Sequence, residues 1–197
     1  YPRITNSGIK KFKLEKAKKY LIYPEDCKKL NELPDALVQV ISAGKGDLQA
    51  RAAFKRGDCE WWKFTWPLHR EHFHQTKIVS PYMAERNTFA VDANNHGMYL
   101  TDTTVIYLTN DEISPMALCA LLNSEIMDFR FHYLTKLKGG GVKEYFAKQI
   151  ERLPVPFNSK NVADVKQLGE LGEKRTSLTS TLDSTQIEKE RQSLLLD

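Results

Sequence analysis

Apolar and polar positions follow a period near two through the middle of the chain and then switch to a period near four. Four short β-prone runs come first: Lys77-Ile78-Val79, Phe89-Ala90-Val91, Met98-Tyr99-Leu100, and Thr103-Thr104-Val105-Ile106-Tyr107-Leu108. Their β-branched and aromatic residues suit a pleated, half-buried surface. The polar stretch Asp92-Ala93-Asn94-Asn95-His96-Gly97 reads as a turn, because Asn and Gly tolerate positive φ. After it the period changes. Ser114 reads as a helix cap and Pro115 as the first helical residue, and Leu118, Leu122, Ile126, Phe129 and Tyr133 fall on one side of the helix so begun. Gly139-Gly140-Gly141 interrupts, a short helix carrying Tyr145, Phe146 and Ile150 resumes, and Leu153-Pro154-Val155-Pro156 ends it.

Outside this stretch the pattern is plainer. Residues 9 to 23 mix Ile9, Phe12, Leu14 and Tyr20-Leu21-Ile22-Tyr23 with six lysines, which predicts one or two strands with a basic outer face before Pro24. From Pro34, the apolar residues Leu37, Ile41, Leu48 and Ala52 keep a spacing near four, predicting one helix or two short ones from Asp35 to Lys55, with a break near Gly44 and Gly46. In the tail, Val162, Val165, Leu168, Leu171, Leu178 and Leu182 predict an amphipathic arm of two helices, divided by the Ser/Thr-rich stretch from Ser177 to Thr185. The fold class that follows is α+β: a small twisted mixed or antiparallel sheet flanked by helices, with a C-terminal helical arm. The predicted division is residues 1–157 as one domain and 158–197 as a helical tail or spacer.

Composition narrows the class. With 197 residues, 41% of them hydrophobic, the chain can bury one full core and a smaller appendage. It has no apolar run of about 18 residues and no apolar leader, so a membrane partner is not expected and the cytoplasm is the expected location. Cys27, Cys59 and Cys119 form no C-x-x-C pair and read as reduced thiols. The chain begins at Tyr1 without Met and reads like a fragment whose function depends on neighbours. Its net charge of +4 hides a gradient: residues 1 to 80 hold 16 Lys/Arg against 9 Asp/Glu, an excess that suits a polyanion as well as a solvated surface.

Candidate chemistry is sparse. Trp61, Trp62 and Trp66 suit either base stacking or core, with core favoured for two of them. Cys59, His69, His72 and His74 are nominally four zinc ligands, but their spacing matches no familiar zinc module, and no metal site is assigned. Phosphate-binding, nucleophile-elbow, zinc-protease and dinucleotide motifs are absent, so no catalytic residue is assigned and a stand-alone hydrolase or nuclease ranks last. The Gly139-Gly140-Gly141 run reads as a close-approach loop leading into a helix N-terminus able to hold one phosphate, bracketed by Lys136, Lys138 and Lys143. Arg86, Asn87, Asn94, Asn95 and His96 lie in loops of the strand region, where such side chains can pair with base edges; the Asn-rich segment is equally a plain hairpin turn. Lys77 joins the phosphate candidates, which need only proximity.

Several segments stand in a definite order along the chain: Tyr20-Leu21-Ile22-Tyr23-Pro24, Trp61-Trp62, Lys77-Ile78-Val79-Ser80-Pro81, Phe89-Ala90-Val91-Asp92 and Met98-Tyr99-Leu100-Thr101-Asp102. Leu121-Leu122-Asn123-Ser124 and Ile150-Glu151-Arg152-Leu153-Pro154-Val155-Pro156 follow. This ordered set resembles the C-terminal specificity domain of TaqI-like and Eco57I-like adenine-N6 DNA methyltransferases, including fused restriction-modification enzymes. The resemblance implies that the chain reads a target in double-stranded DNA, while a separate catalytic methyltransferase domain binds S-adenosylmethionine and methylates a flipped adenine. That domain's Asn-Pro-Pro-Tyr/Phe motif is absent here, so no cofactor is expected in this chain. The competing expectation is a protein-interaction or scaffolding module built on the tryptophan patch and the tail helices.

Overall fold

The computed structural model describes residues 1–67, 72–94, 97–108, 111–158 and 160–181. In chain order these form β1 (Pro2–Arg3), β2 (Ile9–Lys10), β3 (Lys13–Leu14), β4 (Lys19–Tyr20), and then α1 (Asp35–Ala43), α2 (Lys45–Ala50) and α3 (Ala52–Lys55). Next come β5 (Lys77–Pro81), β6 (Met83–Ala84), β7 (Ala90–Asp92) and β8 (Thr103–Tyr107). The chain continues through α4 (Pro115–Leu122), α5 (Glu125–His132), β9 (Lys143–Glu144), α6 (Ala147–Ile150) and α7 (Val162–Thr181). The fold is α+β with antiparallel sheets and a C-terminal helix. Its residues group into two compact units, one of Tyr1 and Tyr20–Phe73, the other of Pro2–Lys19 and the described residues from His74 on.

In the first unit, α1 ends at Gly44 and α2 at Arg51, so the predicted helical stretch is three short pieces. Arg51 binds the returning chain: its guanidinium donates to the carbonyls of Leu48 at 2.9 Å and of Trp61 and Lys63 at 2.8 Å. Trp62 is buried, Trp61 is half-buried with the Lys45 ammonium 5.3 Å from its ring, and Trp66 is 82% exposed. Tyr23 packs edge-on against Phe73 and tilted against Phe64. Of the four nominal zinc ligands, His69 lies outside the described residues.

The second unit is organised by β5. This strand pairs antiparallel with β7 through Ile78↔Val91 and with β8 through Ile78↔Ile106, giving the order β7-β5-β8. Every residue of β5 is buried, because both faces are covered. Ile78 faces a core of Phe89, Cys119, Leu122, Met127, Phe131, Tyr145, Ile150 and Leu153, while Val79 faces Ile4, Ile9, Ala90 and Tyr99. The run Met98-Tyr99-Leu100 is not a strand; Met98 makes only a single bridge to Arg3.

One prediction about the helices is corrected. The predicted helix from Ser114 through Tyr133 is two helices, because Asn123 ends α4 and Ser124 caps α5, its hydroxyl accepting from the Met127 amide at 3.4 Å. The restart shifts the phase. Met127 and Phe131 are buried in α5, whereas Ile126, Phe129 and Tyr133, expected on the core side, are 71%, 66% and 72% exposed. The start was legible: Ser114 Oγ accepts from the Ala117 amide at 3.1 Å, with Pro115 in the first turn.

In the tail, α7 runs on through Ser177 to Thr181, inside the Ser/Thr-rich stretch expected to divide two helices; the rest of that stretch and the second predicted helix fall in residues 182–197, outside the described residues. α7 packs along α4 by placing glycines at the contact. A Cβ on Gly172 would stand 2.8 Å from Met116 Cγ and 3.1 Å from the Met116 carbonyl oxygen. Gly172→Val is therefore expected to cost about 1–3 kcal/mol through overpacking. Thermal unfolding should register that loss, and limited proteolysis should cut α7 first.

Candidate nucleic-acid interface

Pairing of β6 with β9, Met83↔Glu144 and Ala84↔Lys143, brings two sequence-distant segments together. Arg86, two residues beyond β6, and Gly141, two residues before β9, thereby line one open cleft of about 510 Å3. The outer surface of α5 forms the other wall, through Glu125, Phe129, His132 and Tyr133, and Asp128 and Lys143 also line the cleft.

The loop carrying Arg86 is pinned at successive residues. Thr88 Oγ1 donates to the Arg86 carbonyl at 2.9 Å. Asn87 is fully buried: its amide N–H donates to Asp128 Oδ1, its Nδ2 donates to the Leu122 carbonyl at 2.7 Å, and its Oδ1 accepts from Tyr145 Oη at 3.0 Å. Asn123 then holds Phe89 as a neighbouring strand would, accepting from its N–H at 2.9 Å and donating to its carbonyl at 2.8 Å. Arg86 itself is exposed at the end of this anchored segment. A long cation on a fixed base loses less freedom on binding than one on a mobile loop.

The cleft floor is an ion pair. Lys143 Nζ donates to Asp128 Oδ1 at 2.8 Å and to the Asp128 carbonyl at 3.2 Å. Burial pushes the Asp128 carboxyl up, but hydrogen bonds from Lys143 and the Asn87 amide, with the charges of Lys143 and Lys11, outweigh it and hold the group below the usual carboxylate value. The ion pair therefore persists at neutral pH.

The triple glycine differs from its prediction. It does not open a helix; it is the tip of a hairpin leading into β9, closed by the Lys138 amide donating to the Val142 carbonyl at 2.8 Å. Gly140 and Gly141 sit at φ of 74° and 79°, where a side chain is strained, and no neighbour lies within 4 Å of a Cβ at any of the three glycines. Backbone handedness, not space, requires glycine at 140 and 141. Lys138 pairs with Glu144 at 3.2 Å while remaining half-exposed, and Lys136 is exposed before the hairpin.

The other predicted residues are placed differently. Lys77 is buried in β5, 3.7 Å from Asp92, and donates to the Gln75 carbonyl at 3.1 Å. Lys77 and Asn87 thus face inward, so their side chains reach no ligand without rearrangement, whereas Lys143 lies at the floor of the cleft, committed to Asp128. Asn94 is exposed at the opposite end of β7 from Arg86, and Asn95 and His96 lie outside the described residues. The residues the sequence reading missed are Glu85, Glu125, Asp128, Phe129, His132 and Tyr133. Their signal was present: Asn123-Ser124 resembles a stop and a cap, and counting from Ser124 puts Met127, Phe131 and Leu134 on one stripe and Ile126, Phe129 and Tyr133 on another.

No helix among the described residues is long and apolar enough to cross a membrane. Compared with known proteins, the chain matches a family model described as the TaqI-like C-terminal specificity domain over residues 1–155. No curated protein matches it.

Proposed function

Because the chain belongs to the TaqI-like C-terminal specificity domain family, we propose that it reads a target sequence in double-stranded DNA for a catalytic methyltransferase domain of a restriction-modification enzyme. The observation that carries this reading is the meeting of Arg86 with the glycine hairpin at one open cleft. Arg86 supplies a paired donor suited to guanine, and Lys136 and Lys138, on and beside the hairpin, supply charge for phosphates. The carboxylates Glu85 and Glu125 at the cleft add acceptors, which suit base edges and repel backbone phosphate.

In this reading residues 1–157 are the target-recognition part and 158–197 an arm that spaces recognition units or docks on the catalytic domain. S-adenosylmethionine belongs to that domain, and the enzyme works in the cytoplasm. A protein-interaction module centred on the tryptophans has weaker support, since Trp62 is buried and Trp61 lies half-buried beside Lys45.

Titration of the chain with duplex DNA at increasing salt tests the proposal. The two phosphate contacts assigned to Lys136 and Lys138 predict a slope of about −1.8 in log affinity against log salt. Arg86→Ala should weaken binding by about 1–3 kcal/mol and relax preference at one base position. Binding that ignores salt would remove the phosphate contacts of Lys136 and Lys138, and binding that Arg86→Ala leaves untouched would remove Arg86 from the interface.

A further inference from the structure

The apolar face that α5 turns outward is not used by the fold. Met127 and Phe131 already commit the inner face of this helix to the core, where Phe131 stacks on Tyr145 with ring centroids 4.8 Å apart. The outer face holds Ile126, Phe129, Arg130 and Tyr133 at positions i, i+3, i+4 and i+7, all exposed. Three large apolar side chains grouped this way mark a contact surface rather than scattered exposure.

The composition of the surface and its setting indicate what it contacts. Two of its members are aromatic and one is an arginine, the side chains on which unstacked bases are received. Phe129 and Tyr133 meet edge to face, centroids 5.2 Å apart at 69°, so the pair does not close into a stack of its own. Both rings line the cleft that also holds Arg86, Glu85 and Glu125. Ring surface, a paired donor and acceptors thus converge in a space of about 510 Å3, within the range of small-ligand clefts, roughly 300–1,000 Å3. A second protein surface needs apolar area but has no need of donors and acceptors facing one another across the cleft. An intact duplex offers phosphate and groove edges but no ring face.

We propose that Phe129 and Tyr133 form a stacking platform for a nucleobase displaced from the helix, so that the cleft takes DNA carrying an unstacked base in preference to a fully paired duplex. The proposal rests on the DNA-reading function above and names the form of DNA that the same cleft holds. The base lies against the α5 rings, and its hydrogen-bonding edge meets Arg86 and the carboxylates.

The full chain is titrated by fluorescence anisotropy against a paired duplex and the same duplex with one bulged 2-aminopurine, at low salt. Roughly tenfold tighter binding of the bulged duplex, with 2-aminopurine emission quenched on binding, is expected. Phe129→Ala with Tyr133→Ala should abolish both the preference and the quenching. Both positions are exposed, and far-ultraviolet circular dichroism checks that the variant is folded. Equal binding of the two duplexes by the unaltered chain overturns the platform but not DNA reading. So does a preference that survives in the double variant. Absence of binding to both duplexes overturns DNA reading as well.

Discussion

Asp128→Ala is expected to destabilise the chain by about 3 kcal/mol and to disorder the cleft at the same time. Removing one partner of a buried ion pair leaves an uncompensated charge, which costs about 3–5 kcal/mol; the lower figure applies because Asp128 retains 19% side-chain exposure against 5% for Lys143. The Asn87 amide loses its acceptor in the same variant, so the Arg86 segment loosens. Equilibrium denaturation measures the first effect and DNA affinity the second. Asp128→Asn separates charge from shape, since its amide oxygen still accepts from Asn87. The pH dependence follows from the direction of the shift. A carboxyl held below its ordinary value contributes stability that is fully present above the unfolded pKa, about 3.9, and is lost as pH falls through the lower folded value. The unaltered chain should therefore lose stability below about pH 4, and Asp128→Asn should flatten that acid limb. An unchanged acid limb in Asp128→Asn would show that the ion pair contributes nothing to folding.

The second large effect lies in the sheet. Asp92→Ala should cost about 3–5 kcal/mol, because Lys77 and Asp92 are almost completely buried and the carboxylate also accepts from Tyr99 Oη at 2.8 Å. Burial lowers the Lys77 pKa, opposed by the charge and hydrogen bond of Asp92. With Asp92 gone, burial acts with less opposition and the ammonium sheds its proton at lower pH. Between that lowered value and the ordinary one, about 10.4, the unfolded chain binds more protons than the folded chain, so stability rises with pH. The variant should recover part of its loss toward alkaline pH. Lys77→Met with Asp92→Leu and Tyr99→Phe, which removes all three polar groups together, should lie well above Asp92→Ala in chemical denaturation. If the triple variant is as unstable as Asp92→Ala, shape rather than buried charge governs the site.

Much of this was legible in sequence where the signal is local. β5 and β8 follow from runs of β-branched residues, and the start of α4 follows from Ser114-Pro115. What the sequence did not disclose is set by partners far along the chain. Asn87 and Lys143 look like loop side chains free to touch a ligand, yet the Asn87 side chain closes on Leu122 and Tyr145, 35 and 58 residues away, and that of Lys143 on Asp128, 15 residues away. Lys77 reads as a strand-end cation until both faces of β5 are seen to be covered. The phase of α5 was misread for a related reason: a continuous period from Leu118 to Tyr133 fits one helix well, and only the side-chain cap at Ser124 resets it. Arg86 and the glycine hairpin were legible as candidates, but their meeting depends on the β6–β9 pairing, which joins strands too short to announce themselves.

The glycine hairpin also provides a place to attach an outside group. Gly140 and Gly141 are fixed by handedness, but Gly139 has neither a left-handed backbone nor any atom crowding the position of a Cβ. A cysteine there would carry a dye or cross-linker beside the cleft without disturbing the turn, turning the rim of the proposed reading surface into a reporter of whatever approaches it.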